Sequence, residues 1–192
     1  MGYSQADKEA THERIVQTAA NRFRLEGLAG ISIADLMKEA GLTHGGFYKH
    51  FGSRDELVYE AIDKALQQSE INVTPTPGGA GGLDALLDRY LSPAHRDSPE
   101  EGCAVAAFAG EIARNEPRLR QRYTEQIERN IERTAQRIGD ASPGVEPRAR
   151  AILMFSAMVG ALNLARAVSD EALSDEILTT VRELLKESVR GG

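Results

Sequence analysis

Apolar residues along this 192-residue chain recur at every third or fourth position and almost nowhere in strict alternation, which is the period of helices and not of strands. Ile15, Ala19 and Phe23, with Val16 and Ala20 beside them, form one stripe and predict a first helix from about Asp7 to Leu25. The segment Glu26 to Gly30, with two glycines, ends it. A second helix from Ile33 to Ala40 turns Ile33, Leu36, Met37 and Ala40 to one side, and a third from His44 to Phe51 brings Phe47 and Phe51 to the same small core. Ser32, with Asp35 three residues on, can cap the second helix; Gly41 can stop it in the left-handed conformation, and Thr43 can cap the third. Ser53 and Glu56 have capping-box spacing for a fourth helix, about Arg54 to Ser69, with Leu57, Val58, Ala61, Ile62 and Leu66 on its apolar side.

Asn72 to Gly82, NVTPTPGGAGG, interrupts the pattern and reads as a linker. Helices are expected again at Leu83 to Leu91 and at Cys103 to Arg114, separated by a loop rich in Pro, Asp and Ser. Pro117 opens a helix to Ile138 with a narrow stripe of Leu119, Tyr123, Ile127, Ile131 and Ile138, the remainder mostly Arg and Glu. After a loop from Gly139 to Pro147, the helix Arg148 to Val168 is apolar nearly all round in its middle, AILMFSAMVGALNLA. The last, Glu171 to Arg190, has one broad apolar face. The expected architecture is all-α, about nine helices, with residues 1–53 as a helix-turn-helix unit and 54–192 as a larger helical body. One chain has too few elements to cover both terminal helices. They are therefore expected to pair with their copies in a second chain through Phe155, Val159, Leu162, Ile177, Val181, Leu184 and Leu185.

A formal charge of −6 by itself argues against a nucleic-acid partner, but its distribution matters more. Met1 to Asp55 carries seven Lys or Arg against seven Asp or Glu, so the whole excess of acid lies in the body. The single cysteine, Cys103, excludes an intramolecular disulfide and fits a reducing cytoplasm. No signal-peptide core opens the chain, and the charge-free apolar run from Ala151 to Ala165 is shorter than the roughly 20 residues a membrane span needs, so no membrane association is expected.

The stretch Ile31 to Leu57, ISIADLMKEAGLTHGGFYKHFGSRDEL, carries the chemistry. Two short helices around a tight turn have the geometry in which one helix braces and the other lies in the major groove of DNA. Gly45 and Gly46 each cost roughly 1 kcal/mol relative to Ala inside a helix. They mark a loop, or close packing between helices, or a backbone left bare so that phosphates and base edges can approach it. Thr43, His44, Tyr48, Lys49 and His50 surround them with groups that meet DNA. His44 and His50 are six residues apart, on different faces of a helix, without a Cys or carboxylate at i+4, so no metal is expected.

Gly41 to Val58, GLTHGGFYKHFGSRDELV, resembles the signature of the TetR family of bacterial transcription regulators, and Ala19, Ala20, Phe23, Gly27, Ile31, Ser32 and Ile33 extend the likeness upstream. The resemblance implies double-stranded DNA with a palindromic operator as partner, a homodimer, and a small-molecule effector. It places Ile33 and Ala34 where the bracing helix meets DNA, Thr43, His44, Gly45 and Gly46 at the head of the recognition helix, and Tyr48 and His50 on phosphates. Lys49 would contact either bases or phosphates, and Arg54 would reach phosphate from the fourth helix.

The same resemblance puts an effector pocket in the body. Leu87, Tyr90, Phe108, Ile112, Tyr123, Met154, Phe155 and Met158 are candidates for its lining, and for each of them plain core packing is the simpler reading. Cys103 follows Gly102 at a helix start, where a depressed thiol pKa would make it a redox sensor; a small buried core residue is again the simpler account. A ligand-independent helical DNA-binding scaffold is the other alternative. No nucleophile, base and orienter fall in a recognisable constellation, so neither catalysis nor a cofactor is expected.

Overall fold

The computed structural model describes residues 4–73, 82–138 and 146–190. Helix α1, Gln5–Glu26, begins in a capping box: the Asp7 N–H donates to Ser4 Oγ at 3.1 Å and the Ser4 N–H to Asp7 Oδ2 at 3.0 Å. It ends at Gly27, whose φ of +78° lies in the left-handed region. Helix α2, Ile33–Glu39, starts at Ser32, which accepts from the Asp35 N–H, and stops at Gly41 with φ +75°. The expected third α-helix is instead a 3-10 turn over His44–Lys49. Two successive glycines remove the α-helical preference there, and the Gly46 N–H closes onto the Thr43 carbonyl at 2.9 Å. With that N–H used, the Thr43 hydroxyl makes no capping bond.

Helix α3, Arg54–Val73, runs through Asn72 and Val73, which had read as linker; the remainder of that segment up to residue 81 lies outside the described residues. The Glu56 N–H donates to Ser53 Oγ, while the Glu56 carboxylate accepts from Gly52 and not from Ser53. Helix α4 is Leu83–Tyr90. The expected loop to Gly102 contains a short helix, α5, Pro93–Asp97, and a 3-10 turn, Pro99–Glu101. Each opens on a proline, whose preset φ suits a first helical position, and Ser92 caps α5. Helices α6, Ala104–Ile112, α7, Pro117–Ile138, α8, Pro147–Ala167, and α9, Glu171–Arg190, follow the sequence periodicity; of the expected loop before α8, residues 139–145 lie outside the described residues and Pro147 is helical. Among the described residues there are nine α-helices, two 3-10 turns and no strand.

One continuous core joins the small N-terminal unit to the body. Phe23, Leu36, Met37, Phe47 and Phe51 pack with Leu57, Ala61 and Ile62 of α3, so the N-terminal unit borrows apolar surface from the helix that leaves it. Helix α1 packs against α3, α6 and the 3-10 turn at Pro99–Glu101, while α7, α8 and α9 pack in sequence. On α7, Gln126, Asn130 and Thr134 are buried although they lie outside the apolar stripe read from the sequence. Hydrogen bonds from Gln126 Nε2 to Asn130 Oδ1 and from Thr134 Oγ1 to the Asn130 carbonyl satisfy part of that ladder.

The terminal helices differ from expectation in which residues remain uncovered. Phe155, Leu162 and Leu185 are buried within the single chain, and Val159, Ile177 and Val181 are half-buried against its core. Leu153 and Leu164 of α8 are 68% and 58% exposed and Leu184 of α9 is 59% exposed. Ile152 and Leu173 are exposed as well, and Gly160, on the same stripe of α8 as Leu153 and Leu164, faces open space. A helix buries only the stripe that its own neighbours reach, so the free apolar face is offset from the inward one. By length and hydropathy α8 also qualifies as a candidate membrane span, which the shorter charge-free run did not show; it packs between α7 and α9.

Candidate nucleic-acid interface and junction cavity

The turn His44–Lys49 is held from beneath and open above. Phe47 and Phe51 are buried, with ring centroids 5.4 Å apart, and anchor the turn to α1 and α2. Thr43, His44, Gly45, Lys49 and Ala34 are exposed, and Tyr48 is 71% exposed. Tyr48 stands edge-on to both His44 and Phe47, which limits its swing while leaving the hydroxyl outward. A Cβ added at Gly45 would meet nothing within 4 Å, and one at Gly46 would make only ordinary contacts with Met37 and Thr43. Packing inside the protein therefore does not require either glycine. Ile33 is half-buried and packs against the core, leaving Ala34 as the outward residue of that helix start.

Two expected phosphate contacts are partly committed elsewhere. His50 is half-buried, its Nδ1 is sealed from solvent with no hydrogen-bond partner among the described residues, and burial, followed by His12, Lys8 and Lys49, lowers its pKa. At neutral pH its ring is uncharged. Arg54 is exposed but donates to the Leu28 carbonyl. The Leu28 N–H donates in turn to Glu111 Oε2 of α6 at 2.9 Å, so both backbone groups of the residue after Gly27 are clamped, one by α3 and one by the body. His12 adds a second tie, stacking on Phe51 at 4.5 Å and bonding Glu60 Oε2 at 2.6 Å. These contacts make α1 the element to which the reading turn is referenced. No periodicity of apolar residues signals them.

Between α1 and the body lies a cavity of about 640 Å3. Helix α1 contributes Gln17, Asn21 and Arg24 from one face, α3 contributes Gln68, and the remaining wall is Arg89 and Tyr90 of α4, the α5 region from Ser92 to Ser98, Glu101 and Cys103. Of the expected pocket residues only Tyr90 and Cys103 line it. Leu87, Phe108, Ile112, Met154, Phe155 and Met158 are packed in the core, and Tyr123 is half-buried with its hydroxyl donating to the Val105 carbonyl at 2.7 Å. Apolar side chains long enough to line an apolar pocket were also long enough to close it. The open volume lies where polar α1 residues face the body, and an assignment of α1 to the DNA-binding unit alone hides it.

One wall of this cavity is organised by His95. Its Nδ1 lies 2.7 Å from the Tyr90 carbonyl and its Nε2 accepts the Cys103 N–H at 3.0 Å. Those two bonds require the neutral ring with the proton on Nδ1. Burial, then Arg166 and Arg89, push the pKa below 6.5, against the raising effect of the Tyr90 carbonyl. Cys103 is 2% exposed, which fits the structural account of this thiol. Its neighbour Tyr90, with its hydroxyl unpartnered by nitrogen or oxygen among the described residues, has its pKa pushed well up, chiefly by burial.

A pH dependence follows. A depressed histidine pKa means that the unfolded chain takes up the proton first, so this contribution to stability is full above pH 6.5 and is lost as pH falls below it towards the depressed folded value. Melting curves from pH 8 to pH 5 are expected to show Tm falling below about pH 6.5, with a shallower fall in His95→Gln. An unchanged slope in that variant would move the effect to His50.

Residues 15–61 match the family described as bacterial regulatory proteins, tetR family, and residues 79–181 match the tetracyclin repressor-like C-terminal domain. An uncharacterised helix-turn-helix transcriptional regulator of Mycobacterium tuberculosis is 31% identical over 184 residues, covering 92% of this chain and 95% of that protein. A TetR transcriptional regulator from Chloroflexus aurantiacus superimposes with a TM-score of 0.80 at 27% identity, over 95% of this chain and 98% of that one. A transcriptional regulator from Saccharomonospora viridis in complex with choline shares the fold, with a TM-score of 0.74 at 16% identity over 93% and 96% of the two chains. With both its reading unit and its body matched, and the reading turn presented on the surface, the chain belongs to the TetR family of bacterial transcriptional regulators.

Proposed function

We propose that this regulator is a cytoplasmic homodimer that represses transcription from a palindromic operator and is released when a small molecule enters the junction cavity. Residues 1–53 form the reading unit and 54–192 the effector-binding and dimerising body. It acts by binding and not by catalysis. The observation that carries the DNA assignment is Gly45: a helix-destabilising residue at an exposed position where a Cβ would touch nothing in the chain. The compensation for its cost is close approach of DNA to the bare backbone. Thr43, His44 and Lys49 then reach base edges, Tyr48 holds phosphate, and Ala34 and Gly46 allow contact along the groove. Ile33 and His50 support the turn from within and Arg54 steadies it through the Leu28 carbonyl, and the free edge of the His50 ring remains available to phosphate.

The exposed apolar face of α8 and α9 supports the dimer, and the two-fold axis predicts half-sites about 34–36 Å apart or somewhat more. The cavity supports effector control because its walls belong to α1 on one side and to the body on the other. An occupant that repositions α1 moves the turn stacked upon it.

Gly45→Ala tests the DNA reading by separating stability from binding. The variant is expected to melt at the same or a higher temperature, since Gly→Ala at a compatible site stabilises by about 0.4–1 kcal/mol. Its affinity for the DNA upstream of its own gene, in gel shifts at several salt concentrations, is expected to fall about tenfold or more. Equal affinity in the two proteins would remove the reason for reading this turn as the DNA contact.

A further inference from the structure

Arg24 is 6% exposed, lines the junction cavity and has no bonded carboxylate among the described residues. Its Nη2 donates to Asn21 Oδ1 at 3.0 Å and to Gln68 Oε1 at 2.9 Å, its Nη1 reaches the Gly102 carbonyl only at 3.5 Å, and its Nε has no partner among the described residues. Every acceptor it has among the described residues is a neutral amide oxygen. Glu100 and Glu101 lie near enough to favour its charge, yet burial still lowers its pKa to about 10. Charges enclosed in this way are normally paired, because removing a guanidinium from water costs more than neutral hydrogen bonds return. The same cavity contains a second guanidinium, Arg89, and one carboxylate, Glu101, while His95 is held uncharged by its two hydrogen bonds.

Resting on the reading of this cavity as the effector site, we infer that the effector is a small carboxylate whose anionic group pairs with Arg24, on the wall that α1 contributes. A carboxylate suits the planar guanidinium better than a compact cation or a neutral amide, and partial rotation of the Arg24 head presents Nε and Nη1 to it. Gln17, Asn21 and Gln68 already form a bonded row beside Arg24 and accept or donate to the rest of the molecule. Pairing loosens the Arg24 bonds to Gln68 and Gly102, two links between α1 and the body. That change is transmitted to the reading turn through α1.

The test is a thermal-shift and calorimetric screen of the full chain with monocarboxylates from acetate to decanoate and with benzoate. Benzamide, choline and inorganic phosphate serve as neutral, cationic and alternative-anion probes. A carboxylate present at about ten times its Kd is expected to raise Tm by roughly 3–5 °C. Benzamide and choline should give no shift, Arg24→Gln should lose it, and Arg24→Lys should keep part of it. Failure of every carboxylate, a shift that survives Arg24→Gln, or a response to phosphate or choline alone overturns the carboxylate assignment while leaving effector control intact. Release of operator DNA is measured separately with the same compounds. Binding at Arg24 without release supports the ligand class and defeats the effector reading instead.

Discussion

Replacing Leu153 and Leu164 together by glutamate is expected to yield a folded monomer whose affinity for its operator falls on the order of 10²–10⁴-fold, the loss that follows when two linked binding heads become one. Both side chains stand on one stripe of α8 and are exposed in the single chain, at 68% and 58%, so nothing inside the protomer depends on them. In a dimer each glutamate would be desolvated against an apolar partner surface without a countercharge, which costs several kcal/mol per site. Gly160 between them leaves room for the partner's helix to approach. Light scattering coupled to gel filtration reads the assembly state, circular dichroism reads the fold, and gel shifts read the affinity. A double variant that remains dimeric would show that the two chains meet elsewhere.

Gly27→Ala is the second substitution with a large expected effect. An L-residue at φ +78° costs about 1–2 kcal/mol, and the new Cβ would collide with Glu111 Oε1. Moving Glu111 aside to relieve the collision breaks its bond to the Leu28 N–H, a charged hydrogen bond of roughly 1.5–3 kcal/mol. The sum, about 2.5–5 kcal/mol, corresponds to a fall in Tm of roughly 5–20 °C for a chain of this size. In a Glu111→Ala background the collision is already absent, so Gly27→Ala should there cost only its backbone part. Calorimetry of the double-mutant cycle measures the difference as a coupling energy of about 1 kcal/mol or more. Strict additivity would mean that Glu111 does not brace the turn. The same variant matters for function, because Gly27 and Leu28 join the helix that lines the cavity to the helix that precedes the reading turn.

Where local sequence dictates local structure, the reading from residues and the structure coincide. Ser32 with Asp35, Gly41, and Pro117 at the start of α7 each act on atoms within one helical turn of themselves. Phe47 and Phe51 could be assigned to the core because their four-residue spacing leaves them no other face. The proline-started helix at Pro93–Asp97 was also available from the sequence, in the Ser-Pro start itself, but the surrounding Asp and Ser made it look like loop.

The amino-acid sequence by itself determined the all-helical class, the position of the reading segment, though as an α-helix and not the 3-10 turn it forms, and an apolar surplus in the last two helices, because periodicity and capping depend on neighbours a few residues away. Tertiary structure alone decided which apolar residues close the core and which stay exposed, so that Leu153 and Leu164 join the expected Leu184 on the free face while Phe155 and Leu162 do not. It also decided that Arg24, an unremarkable charge near the end of α1, is buried against Gln68 and Gly102 at the wall of the junction cavity. Those contacts join residues 44 and 78 positions apart, and no local pattern records what a distant helix will place opposite a side chain.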